Sequence, residues 1–166
     1  MDQGNYYLKR RDNLARDLIT ARQCFRQAYG ILESIAPSDL RALVRVYYGL
    51  MNVEMDLGYY RDLGLEKRES HLRSAEDYGN MALETARKLA DAGTLAKVTL
   101  ERAVLKGRRA EFEAKRGTGL LEVRRLRDEA IQDLARALQE VQEANPANVG
   151  ESFAWAKYWR DRLKRL

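Results

Sequence analysis

Residues able to do covalent or acid–base chemistry are sparse in this chain. The one histidine, His71, lies beside Glu69 and Ser70 close to a predicted helix start, where it reads as an exposed or capping residue. The one cysteine, Cys24, follows an apolar stripe beside Phe25 and reads as a small buried hydrophobe. A nucleophilic thiol would need a histidine or a helix N-terminus next to it. A lone cysteine also excludes an intrachain disulfide and suits a reducing compartment. Metal binding calls for several His, Cys or carboxylate groups at ligand spacing, and none is visible. Gly117-Thr118-Gly119 is too short for a phosphate loop and lacks its lysine and preceding strand. The expectation is therefore a non-enzyme with no cofactor and no metal.

What remains is binding chemistry, carried by cations and aromatic rings. Arg124-Arg125-x-Arg127 and Arg160-x-Arg162-x-Lys164-Arg165 are the densest basic runs, and Tyr47-Tyr48 and Tyr59-Tyr60 could stack on bases. In helical hairpins such tyrosines are more often core. The 166 residues hold 30 Lys and Arg against 25 Asp and Glu, a net charge of +5. The excess sits mostly after residue 100, where Glu and Asp are interspersed among the cations. A phosphate-binding face shows cations clustered without that dilution. The pattern predicts a mixed-charge surface with a mild preference for acidic partners.

These side chains need elements to position them, and the composition points to helices. Leu occurs 23 times and Ala 21 times, while Val, Ile and Thr together reach 17. Only Pro37 and Pro146 interrupt. Six helical segments follow: about 5 to Ile35, Leu40 to about Leu63, Lys67 to the Asp91-Ala92-Gly93 break, Thr94 to Lys115, a fifth after Gly119, and a sixth from near Gly150 to the C-terminus. Leu14, Leu18, Ala21, Phe25, Ala28, Leu32 and Ile35 form the first stripe. Ser38 or Asp39 caps the second helix, and Gly64 ends it. Asn145-Pro146 stops the fifth. More than 70% helix and no sheet are expected. Residues 1–166 read as one domain, with no run apolar enough to span a membrane and no secretion signal. A cytoplasmic or nuclear location follows from these readings.

Two helices stand out. The second is apolar on nearly every side, with Arg41, Arg45, Asn52 and Asp56 as one narrow polar stripe, which predicts a place at the centre of the fold. In the fourth, Ala96, Leu100, Ala103, Gly107, Ala110 and Ala114 form a small-residue stripe. Val98, Leu105 and Phe112 form an opposite one, flanked by Arg102, Arg108 and Arg109. That second stripe needs a cover, either a helix of the same chain or a bound peptide.

Ala21-Phe25-Ala28, Ala75-Gly79-Ala82 and Ala130-Leu134-Ala137 repeat one pattern at distances of 54 and 55 residues. The run from Asp128 to Asn148 resembles the second helix and exit turn of a tetratricopeptide repeat. Ala130, Leu134, Ala137 and Pro146 stand at that family's small–large–small–proline positions. Tyr48-Gly49 and Lys106-Gly107 resemble its Leu-Gly pair at the glycine, and Trp155 and Trp159 its aromatic positions. The resemblance implies an all-α fold of antiparallel hairpins stacked as a right-handed array, serving as a protein–protein interaction scaffold. The expected partner is a peptide or helix, acidic in character. It would lie on Val98, Leu105 and Phe112, with Arg102, Arg108 and Arg109 pairing its acids and Arg41, Arg45, Asn52 and Asp56 lining the same side. The alternative is a nucleic-acid-binding repeat using the C-terminal cations. Uncovered terminal helices, with Tyr6-Tyr7-Leu8 at one end and Trp155 or Tyr158 at the other, also allow a homodimer.

Overall fold

A computed structural model describes residues 3–35, 38–60, 62–144 and 150–165, and the side chains of 14–35, 38–60, 62–143 and 153–165. Six helices account for nearly all of them: α1 (Gln3–Ile35), α2 (Leu40–Tyr59), α3 (Leu65–Leu89), α4 (Ala92–Arg116), α5 (Leu120–Ala144) and α6 (Gly150–Leu163). No strand occurs among the described residues. No helix is long and apolar enough to cross a membrane.

The boundaries follow local chemistry. Asp39 caps α2, its carboxylate accepting from the Ala42 N–H at 2.9 Å. That helix ends at Tyr60, earlier than Gly64, which instead precedes α3. Asp91 opens α4 rather than breaking α3, accepting from Gly93 N–H and from the Thr94 hydroxyl. Ala90, held at φ 55°, closes α3. Gly117, at φ 86°, closes α4 in the left-handed conformation that a side chain would strain. Ala36-Pro37 and Asn145-Pro146 lie outside the described residues.

The helices pack in two layers. Each contacts its chain neighbours, and in addition α2 touches α4 and α4 touches α6. Among the described residues, no close backbone contact joins α1, α3 and α5 to one another. Closer spacing on the α2–α4–α6 side makes that layer the inner one. Helix α4 touches four others and is the centre of the fold, where the sequence pointed to α2. The alanine repeat lies on the three outer helices. Ala75, Gly79, Ala82, Ala130, Leu134 and Ala137 are all buried, so small side chains set how closely the layers approach.

At the edge, α1 contacts α2 alone among the described elements. Phe25 lies in a notch at Gly49, where a Cβ would stand 2.3 Å from the ring. With 33 residues against 20, α1 is about 20 Å longer than α2. Leu14 is accordingly half exposed. Ile35 is exposed as well, because a 3.5-residue stripe drifts about 20° per heptad around a 3.6-residue helix, or about 60° from Leu14 to Ile35. Cys24 is exposed rather than buried, since nothing but α2 covers α1.

Helices α1 and α3 leave a gap over α2, and one carboxylate fills it. Glu54 is 1% exposed and faces Arg22 and Arg26 of α1 at 3.7 and 3.8 Å, and His71 Nδ1 of α3 at 2.6 Å. His71 is thus neither exposed nor a cap: it lies in the second turn of α3, half-buried against this acid.

Candidate functional site

Val98, Leu105 and Phe112 are buried inside the chain, each 3% exposed or less. Their cover is α3. Val98 packs with Ala82 and Ala86, while Arg68 of α3 lies over the Phe112 ring at 5.1 Å and donates to the Gly58 carbonyl. The expected apolar groove is therefore core, because the burial that these side chains demand is met within the fold. Their flanking cations divide. Arg109 is held by Glu69 and Glu113, and Arg102 donates to the Asn80 side chain at 2.6 Å. Only Arg108 reaches the inner layer.

There Arg108 meets Asp56, two members of the expected site that the fold brings together. Its Nη1 donates to Asp56 Oδ1 at 2.6 Å and to the Met55 carbonyl at 3.3 Å. The guanidinium also lies 5.1, 5.5 and 5.7 Å from the ring centroids of Tyr59, Trp155 and Trp159. Such stacking suits a planar, weakly hydrated cation. Gly107 permits this closeness: a Cβ there would stand 3.0 Å from Leu163 and 3.5 Å from Trp159.

Next to it, Glu111 accepts from Arg162 at 2.6 and 3.0 Å, from Tyr59 Oη at 3.0 Å, and from Lys115. Burial alone would raise its carboxyl. The hydrogen bonds from Arg162, Lys115 and Tyr59 outweigh burial and hold it down at about 2. Burial and the adjacent Glu111 charge push the Tyr59 phenol above its ordinary value. Arg162 also donates to Tyr158 Oη at 3.0 Å. On this ionic base Trp155 and Tyr158 stack at 5.2 Å, nearly parallel, with 39% and 44% of their surfaces still exposed. Both therefore face outward, and Trp155 folds over Arg108 of α4.

The rest of the polar stripe extends this inner surface along α2. Arg41 and Arg45 are exposed, and Asn52 is half-buried, its side-chain oxygen without a hydrogen-bond partner among the described residues. Tyr6-Tyr7-Leu8 lies outside the described side chains. The basic runs are largely tied up: Arg125 by Glu122 and Glu129, Arg127 by Asp128, Arg160 and Lys164 by Asp161. The sequence names Arg108 and Asp56 for one site, offers Tyr59 and Arg162 only as a base-stacking ring and as part of a basic run, and gives no sign of Glu111. Their signal, two tyrosines ending one helix and an aromatic–arginine run in another, shows only once α2, α4 and α6 are known to touch. No group of acids, histidines or cysteines that could hold a metal ion occurs among the described residues. No family model, curated protein or solved structure matches the chain.

Proposed function

We propose that the chain is a tetratricopeptide-like helical-repeat scaffold that binds a segment of a partner protein along the inner layer of α2, α4 and α6. The carrying observation is the Trp155–Tyr158 stack, two large exposed rings held in fixed geometry by Arg108 and Arg162. Aromatic anchors held by neighbouring arginines are typical of interface hot spots, because little side-chain entropy is lost on docking. Arg41 and Arg45, exposed on the same layer, favour an acidic segment. The carboxylates paired with Arg125, Arg127 and Arg160 disfavour nucleic acid, which needs cations free to displace counterions.

The test is affinity capture with the full chain and with Trp155→Ala/Tyr158→Ala, followed by mass spectrometry and a salt titration of the recovered partner. Loss of one defined protein with the double variant, but not with Leu121→Ala at an exposed position of α5, supports the reading. Equal recovery with both variants overturns it, as does a nucleic acid whose affinity falls steeply with salt. A dimer on light scattering that Trp155→Ala dissolves would make a second copy the occupant.

A further inference from the structure

The outer layer has a second gap, between α3 and α5 over α4, and its carboxylates are too few to balance its cations. It forms a cleft of about 410 Å³ whose charged lining is Arg87, Arg102, Lys106 and Arg136 against Asp133 and Glu140. Neither α2 nor α6 contributes to it, so it is separate from the aromatic face. Lys106 is bonded to Asp133. Arg87 and Arg136 have no ion pair among the described residues, and Arg102 has only the Asn80 amide oxygen. Three arginines thus share a cleft with one remaining carboxylate, Glu140, and the lining carries a net charge of +2. Burial, and then the like charge of Arg87, push the Arg102 guanidinium below its ordinary value. A cationic cluster of this kind is stabilised by an anion that enters it. Leu83, Leu95 and Ala103 add an apolar wall.

We propose that this cleft binds a small phosphomonoester, its phosphate on the Arg87, Arg102 and Arg136 side chains and its organic part against Leu83 and Leu95. The charge selects the ligand class. A phosphomonoester carries nearly two negative charges at neutral pH, which matches the lining, whereas a single carboxylate leaves half the excess. Guanidinium forks suit phosphate oxygens, and the volume lies in the range of small-ligand pockets. A nucleic-acid strand would need a continuous cationic track, and Arg125 and Arg127, earlier on α5, are occupied by acids.

The experiment is calorimetric titration of the full chain with glycerol 3-phosphate and with inorganic phosphate, against sodium chloride at matched ionic strength. Saturable binding of glycerol 3-phosphate is expected. It weakens at least tenfold in Arg87→Gln/Arg136→Gln, a variant of two exposed residues, and is unchanged in Arg125→Gln. Circular dichroism of each variant confirms the fold. No saturable heat beyond the chloride control overturns the proposal. So does equal affinity in the double variant, or tighter, steeply salt-dependent binding of unphosphorylated oligothymidylate. Inorganic phosphate binding as tightly as the ester retains the phosphate site and removes the role given to Leu83 and Leu95.

Discussion

The two gaps between the outer helices are built alike and filled oppositely. Over α2, between α1 and α3, Glu54 supplies a buried carboxylate that Arg22 and Arg26 of α1 and the His71 imidazole of α3 approach. Over α4, between α3 and α5, the central helix supplies Arg102 and Lys106, and the flanking helices add Arg87 and Arg136 against the fewer carboxylates Asp133 and Glu140. The first arrangement closes on itself. The second is left with a net positive charge, which an anion from outside would balance. A fold that splays one layer creates such gaps between alternate helices, and the charge on the inner helix decides whether each becomes core or cleft.

Reversing the charge in the closed gap should produce the largest effect. Glu54→Lys places a fourth basic group among Arg22, Arg26 and His71 at a site with almost no solvent access. Uncompensated buried charges cost about 3–5 kcal/mol, a large share of the total stability of a domain. Urea unfolding should show the midpoint collapsing, and a midpoint within error of wild type would mean that the gap is open to water. Second come Ala82→Leu and Ala137→Leu, each buried where the layers meet. Overpacking there should cost about 1–3 kcal/mol in melting experiments, and unchanged melting in both would show that the layers do not meet at these faces.

How much of this was legible in the sequence depends on whether a feature is local. The helices, the Asp39 cap and the alanine stripes follow from spacing and short-range hydrogen bonding, and the structure has them. The stripe of Val98, Leu105 and Phe112 was visible too, but its cover is a matter of tertiary pairing: the same pattern serves a groove or a helix interface, and α3 fills it. Glu54 gave no local sign, since an acid on a helix is ordinarily solvated. Only the convergence of α1 and α3 encloses it. Cys24 erred the other way, because a position beside the stripe is buried only if a second helix flanks α1.

The Glu111 network on the inner layer, like the closed gap, pairs its carboxylate with groups of the same chain, and it should reveal itself through pH. The folded carboxyl is held at about 2 against an ordinary 4.5. A depressed acid contributes stability that is complete above 4.5 and is lost as pH falls toward 2. Glu111→Gln should therefore lower stability at neutral pH and flatten its decline across that acid window. Identical slopes for both proteins in acid unfolding would show that Arg162 and Lys115 do not hold the carboxylate.

The smallest effect is expected in the open gap, and its sign is the informative part. Arg87→Gln removes an exposed cation that has no ion pair among the described residues and whose charge disfavours that of Arg102. Surface changes ordinarily lie within about 0.5 kcal/mol of wild type. Here the shift should fall on the stabilising side, since a repulsion is lost and no partner is stranded. Salt supplies the discriminating measurement. The screening length is about 10 Å at 0.1 M, so the advantage of the variant should be present in low salt and shrink as sodium chloride rises. An advantage independent of salt would trace the effect to helix propensity at position 87. A net loss of stability at every salt concentration would mean that Arg87 holds a partner, and that the second gap closes on itself like the first.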